Sequence, residues 1–277
     1  MAREEEESVA SQSREAWLAE QIAYHSDLYY NQAKTEISDA DFDTLWDELK
    51  GLNPQHPQLQ RVGAEVDPGT VKVDHMFPMR SLNKGVNDEE IAHFVKESSL
   101  ESTRFISQPK LDGSALSLEY RKGRLVRAAT RGNGNRGEDV TKNARKVENV
   151  PHTLGVEVDM HIRGEVVMKK SVFEEKYRNI SPNPRNLAAG ALRQKKADGK
   201  ADASDLVFLA YDAKFPNEAN RHPDSEAPPS DPYDSLILEW LSNTAGVEPA
   251  PWIVHDANAE EASIESLCQE TRVWSEK

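Results

Sequence analysis

The chain has 277 residues, with 48 acidic against 34 basic side chains and a formal net charge of -14. That length suffices for a sizeable core and about two domains. The acidic excess opposes tight binding of a polyanion by the whole surface, so any nucleic-acid contact needs a local basic strip such as Lys142, Arg145 and Lys146.

The single Cys268 excludes an internal disulfide and a cysteine-based zinc finger, and it fits a reducing cytoplasm. Residues 1–7 are acidic and lack the apolar core of a signal peptide, and no stretch approaches a membrane span. Trp17, Gln21, Tyr24 and Leu28 then follow helical spacing, with Tyr29-Tyr30 directly after them. Ser38-Asp39-Ala40-Asp41 is an acidic capping box that announces a second helix, with Phe42, Leu45, Trp46 and Leu49 on one stripe. Two amphipathic helices make a small cap, bounded here at residues 1–75. A second unit, residues 76–277, begins near Pro78-Met79-Arg80-Ser81-Leu82.

In that second unit, residues 105–110 read as a strand ending in a turn at Asp112-Gly113, which places Lys110-Leu111-Asp112-Gly113 where strand gives way to loop. Residues 115–120 alternate in strand fashion, Lys122-Gly123 reads as a hairpin turn, and residues 125–130 form the returning strand. Arg131-Gly132-Asn133-Gly134-Asn135-Arg136-Gly137-Glu138-Asp139-Val140-Thr141 is a glycine-rich loop running into a helix. Arg163-Gly164-Glu165-Val166 lies in a strand; Asn183-Pro184-Arg185-Asn186, Ala188-Ala189-Gly190 and Leu192-Arg193-Gln194 fall in a loop and helix. Residues 206–213 form a strand, the proline-bearing segment 216–232 a surface loop, and Leu236, Ile237, Trp240 and Leu241 a packing helix, with another over residues 257–271.

These motifs suit attack on a nucleotide phosphate by a lysine amine. An unperturbed lysine has a pKa of about 10.4, so its neutral amine is scarce at pH 7 and the surroundings must favour it. Asp112 cannot do so by charge pairing, which acts the other way. Cations that offset charge at the phosphate are the other requirement, and arginine offers a planar fork of donors for it. Gly132, Gly134 and Gly137 also spell the dinucleotide fingerprint of a Rossmann oxidoreductase. That fold needs a parallel βαβ unit, whereas the strand entering the loop belongs to a hairpin and is antiparallel.

Taken together, the motifs from residue 20 to 270 resemble the adenylation domain of the NAD-dependent DNA ligases of bacteria. The resemblance implies an α+β fold: a helical cap that binds nicotinamide mononucleotide (NMN), then an incomplete nucleotidyltransferase domain whose antiparallel sheets flank the nucleotide cleft. Lys110 would attack the α-phosphorus of NAD, release NMN and hold AMP for the sealing of nicked DNA. Tyr29, Asp39 and Asp43 would grip the NMN half, and Ser81 and Leu82 would lead into the pocket. Gln108, Asp112, Arg131 and Glu165 would contact the adenylate, while Arg185 and Arg193 would face nucleotide or DNA phosphate. NAD is the implied substrate and Mg2+ the implied cofactor, and no residue is assigned as a metal ligand.

Three positions depart from the family pattern: Tyr30 replaces the usual His, Phe42 the usual Tyr, and Gln108 the usual Glu. The chain also stops at Lys277, before the place where the family's Asp-Gly-Val-Val motif and last lysine motif are expected. A separate polypeptide that completes the enzyme, an NAD- or mononucleotide-binding module with impaired catalysis, and weak DNA sealing by this chain alone are the corresponding expectations.

Overall fold

The computed structural model describes residues 2–31, 35–60, 70–80, 85, 87–98, 104–181, 183–195, 201–216, 234–256 and 264–270. The cap is built from α1 (Ala2–Asn31), α2 (Asp39–Leu52) and the short α3 (Pro57–Gln60). Ser38 starts α2 as its sequence dictates: its hydroxyl accepts the Asp41 N–H at 3.1 Å, and its own N–H donates to the Asp41 carboxylate at 3.3 Å. Leu18, Ile22 and Leu49 are fully buried between the helices, with Phe42, Leu45, Trp46 and Leu59 packed against them. Of the expected stripe on α1, Leu28 is buried, but Trp17 is 43% and Tyr24 48% exposed, and Leu18 and Ile22 take the buried face instead. Trp17 instead lies under the Arg14 guanidinium, 4.4 Å from its ring centroid, and Arg14 is paired with Glu48 across the cap at 2.6 Å.

The larger unit centres on a four-stranded sheet of β3 (Ser114–Arg121), β4 (Arg124–Thr130), β6 (Met160–Met168) and β7 (Leu206–Lys214), in the order β4-β3-β6-β7. Every pairing in it is antiparallel. The hairpin turn is Lys122-Gly123, with φ of 47° and 70°. Positive φ at both central residues matches the right-handed twist of the two strands. Asp159 accepts the Lys122 N–H at 2.7 Å and so fixes a residue that carries a Cβ in this region.

Alternation gives the sheet two different faces. One buries Leu116, Leu118, Tyr120, Met160, Ile162, Val166 and Phe208 against Leu187, Ala188, Ala191 and Leu192 of α7 (Pro184–Arg193) and Leu238 and Leu241 near the end of α8 (Asp234–Trp240). The other presents Ala115, Arg163, Glu165 and Tyr211, none of them fully buried. Residues 206–213 form its edge, extended by an isolated bridge between Ala210 and Pro249.

Two short ribbons complete the frame: β2 (Arg104–Ser107) with β8 (Ile253–Asp256), and β1 (Lys72–Asp74) with β5 (Arg136–Glu138), both antiparallel. A satellite cluster of Val95, from α4 (Asp88–Ser98), with Ile264, Leu267 and Cys268 lies beside β2. The helix after the glycine loop, α5 (Thr141–Ala144), has only four residues, and α6 (Lys170–Val172), after β6, has three. A Rossmann unit needs a parallel sheet and a full crossover helix, and neither is present at this loop among the described residues. Most of the proline-bearing loop lies outside the described residues, as do residues 257–263 and 271 of the last expected helix, whose described part spans 264–270.

Candidate active site

The Lys110 loop is held down by its glycine. Gly113 lies so close to β6 that a Cβ would stand 2.2 Å from the Val166 carbonyl oxygen, and its N–H donates to the Glu165 carboxylate. Lys110 and Asp112, two residues apart, are both exposed. Glu165 projects from the second sheet face, and burial pushes its carboxyl up to about 7. Lys110 and Arg131 pull in the opposite direction, whereas Asp112 adds to the rise. Three of the expected site residues therefore act electrostatically on the carboxylate of a fourth.

The glycine loop supplies Arg131 and is folded by specific contacts. Gly132 and Gly134 have φ of 54° and 87°, values that residues with a Cβ avoid. At Gly137 an added Cβ would sit 1.7 Å from the Thr130 carbonyl oxygen. His75 braces the loop base, its Nε2 lying 3.1 Å from the Thr130 carbonyl and 3.2 Å from the Arg131 carbonyl. Both partners are acceptors, so Nε2 must carry the proton. Burial lowers the His75 pKa and favours the neutral ring. Met79 N–H donates to the Gly134 carbonyl at 2.8 Å, which attaches the segment leading towards Ser81 to the same loop, and Arg163 of the sheet donates to the Pro78 carbonyl at 3.0 Å.

Helix α7 brings in the remaining arginines. Asn183 caps it by accepting the Asn186 N–H at 2.9 Å, and Pro184 occupies the first turn. Arg185 then donates to Asp112 at 3.0 Å and lies over Tyr29 of the cap, 3.9 Å from the ring centroid. Burial pushes the Arg185 guanidinium down to about 10. Arg193 pairs with Glu138 at 3.1 Å, a carboxylate only 6% exposed, and burial lowers its pKa while Glu138 and Asp27 of the cap oppose the shift. Asn143 fixes that end of α7 by donating to the Leu192 and Gln194 carbonyls at 2.9 and 2.8 Å.

Lys110, Asp112, Arg131 and Glu165 thus come together, Arg185 joins them through Asp112, and Tyr29 joins through Arg185. Arg193 stands at the far end of the glycine loop, paired to Glu138. Gln108 is half-buried, and its amide nitrogen is buried with no hydrogen-bond partner among the described residues. Asp43 is half-buried on α2. The side chain of Asp39 lies outside the described residues, as do Ser81, Leu82 and the side chain of Tyr30. Phe42, a departure from the family pattern, packs into the cap core. In the basic strip, Lys142 and Lys146 are exposed but Arg145 turns back to the Leu125 carbonyl at 2.6 Å.

Sequence reasoning missed three contributors. Tyr211 stands near Glu165, Arg163 and Arg131, with its hydroxyl pushed up to about 12 by burial. Alternation along β7 was the signal, since it sets Tyr211 on the opposite face from Phe208 and Ala210. Glu138 and His75 gave no such signal, because their partners lie in distant segments.

Glu165 makes a stability prediction. Its pKa is higher in the folded chain than the ordinary carboxyl value of 4.5, so the folded state retains a proton that the unfolded state loses as pH rises from about 4.5 to 7. The cost of ionisation is absent below that window and complete above it. Glu165→Gln is therefore expected to stabilise the chain by about 1–3 kcal/mol at pH 8 and to be neutral near pH 4.5. Urea unfolding at the two pH values checks this, and equal effects at both would contradict it.

The chain matches the family model of the NAD-dependent DNA ligase adenylation domain over residues 69–240, and that of the DNA ligase-like, N-terminal NAD+-binding domain over residues 8–64. It belongs to the NAD-dependent DNA ligase family. It is 40% identical over 217 residues to a DNA ligase of Rhodopseudomonas palustris strain BisA53, covering 70% of this chain and 30% of that one. To the DNA ligase of strain TIE-1 it is 38% identical over 250 residues, and to that of Nitrobacter hamburgensis 39%, in both cases covering 82% of this chain and 34% of the relative. The chain thus spans about a third of the length of the curated relatives it matches. A solved Naegleria gruberi RNA ligase with AMP and Mn aligns at 12% identity over 75% of this chain and 54% of that one, with a TM-score of 0.33, too distant to carry any argument. No described helix is long and apolar enough to cross a membrane.

Proposed function

We propose that this chain performs the nucleotide-transfer step that opens NAD-dependent DNA ligation. The observation that carries the reading is the convergence of Lys110, Arg131 and Asp112 on the half-buried Glu165 carboxylate. The Lys110 amine attacks the α-phosphorus of NAD; an N–P bond forms, the P–O bond to NMN breaks, and the amine proton passes to solvent. Arg131 offsets charge at the phosphate and limits the rise that burial imposes on Glu165. Glu165 accepts a hydrogen bond from a hydroxyl of the adenylate ribose. The Tyr211 hydroxyl stays protonated and keeps a donor on the same wall.

Among the described residues no three potential metal ligands converge. That fits Mg2+, which usually keeps several waters and binds through substrate phosphates with one or two carboxylates. Asp112, the exposed carboxylate two residues after Lys110, is the one that would hold it, and the ion would supply charge neutralisation at the phosphate. The cap contributes selectivity for the leaving half: Tyr29 offers an aromatic face to the flat, cationic nicotinamide ring, with Asp39 and Asp43 as complementary charges. Arg185 and Arg193 serve the phosphate of the adenylate or of nicked DNA, Ser81 and Leu82 lead into the pocket, and Gln108 meets the base. Nicked DNA is the acceptor of AMP, reached with the help of further ligase segments, in the cytoplasm.

Calorimetry with NAD and ATP tests the reading. The cap presents an aromatic face suited to nicotinamide and, among the described residues, no cluster suited to a triphosphate tail, so NAD is expected to bind about tenfold more tightly or better. Equal or tighter binding of ATP would overturn the assignment.

A further inference from the structure

We infer that Arg185 is a built-in occupant of the cap's cation-binding face, and that a nicotinamide ring must displace it from Tyr29 to bind. The inference rests on the reading of Tyr29 as the nicotinamide face. Its own evidence is the contact already present: a flat delocalised cation lies 3.9 Å from the Tyr29 centroid, stacked where a pyridinium would stack. The edge of the same guanidinium donates to Asp112 at 3.0 Å, so one side chain joins the cap to the Lys110 loop.

The backbone of Arg185 is fixed by the Asn183 cap and by Pro184 in the first helical turn, which leaves side-chain rotation as the available motion. Arg185 is 24% exposed, enough for the guanidinium to reach water or an entering phosphate when it leaves the ring. An arriving NAD exchanges one cation–π contact for another at Tyr29 and frees the guanidinium, while its hydrogen bond to Asp112 still tethers it beside the adenylate half. When NMN departs, Arg185 returns to Tyr29 and competes with rebinding of the leaving group. The device thus lowers affinity for the free pyridine nucleotide.

The test measures binding of nicotinamide riboside, which carries the pyridinium but no phosphate for Arg185 to contact, to the full chain and its variants by calorimetry. Arg185→Ala is expected to tighten it about five- to tenfold, Arg185→Lys by less, and Tyr29→Ala to weaken it. In the Tyr29→Ala background, Arg185→Ala is expected to have no further effect, because the contested face is gone. Circular dichroism of each variant confirms that it is folded. If Tyr29→Ala weakens binding but Arg185→Ala leaves it unchanged or weaker, the displacement idea is overturned while the nicotinamide face stands. If Tyr29→Ala has no effect, the face itself is misassigned, and the displacement idea falls with it.

Discussion

Replacing Lys110 with alanine is expected to reduce covalent AMP on the chain, formed with NAD and magnesium, to below about a thousandth of the parent's yield. The substitution removes the only atom that the proposed chemistry bonds to phosphorus. The structural cost is small, because Lys110 is exposed and lies three residues beyond the end of β2, with Gly113 rather than Lys110 anchoring the loop. Thermal unfolding of Lys110→Ala should therefore stay close to that of the parent, apart from the lost interaction with Glu165. NAD should still bind, since Tyr29, Arg131 and Glu165 remain. Intact-protein mass spectrometry provides the readout, and an undiminished adduct in the variant would place the nucleophile elsewhere.

Gly137→Ala should be strongly destabilising. Its Cβ would meet the Thr130 carbonyl oxygen at 1.7 Å and the His75 ring nitrogen at 3.1 Å. The first is backbone within the β4 strand, held by pairing to Leu116, so no flexible side chain can turn aside. The glycine loop and β1 must move instead, breaking the Val73–Gly137 register and the His75 contacts to Thr130 and Arg131. A loss of about 3 kcal/mol or more is expected, roughly 6–12 °C in Tm, with a parallel loss of NAD binding as Arg131 shifts. Gly190→Ala on α7 is the contrasting case: nothing lies within 4 Å of its added Cβ, and alanine is the better helix former by about 1 kcal/mol. Equal destabilisation by the two changes, measured by thermal unfolding, would contradict this account of the loop.

The parts of the fold that were legible in sequence are those fixed by local chemistry. Lys122-Gly123 between two alternating runs specified an antiparallel hairpin, and that alone separated the glycine loop from a Rossmann turn. Ser38 and Asp41 marked the start of α2 by hydrogen bonds spanning three residues. What was not legible depends on distant partners. β8 is four residues long and exists through its pairing with β2, about 150 positions earlier in the chain. The strand at residues 206–213 was readable as a strand, but its edge position depends on which neighbours the chain brings to it. On α1, Trp17 looked like core by type, yet Leu18 and Ile22 won the buried face and left Trp17 to stack under Arg14.

The site divides in the same way. The Lys110-Leu111-Asp112-Gly113 run, Arg131 and Glu165 were readable as motifs, and the structure adds that Lys110, Asp112 and Arg131 act on the Glu165 carboxylate. The pairing of Arg193 with Glu138, and of Arg185 with both Asp112 and Tyr29, joins segments between 50 and more than 150 residues apart, which spacing within a motif does not reveal.

The most direct test of the central claim follows the two halves of NAD separately. The parent chain is incubated with magnesium and with NAD labelled either in the adenylate or in the nicotinamide ring, then denatured, and the protein-bound label is mapped by peptide mass spectrometry. Adenylate label on the peptide containing Lys110, with the nicotinamide label released as NMN, is the expected result. Adenylate label on another residue, or retention of both labels on the protein, would contradict the account.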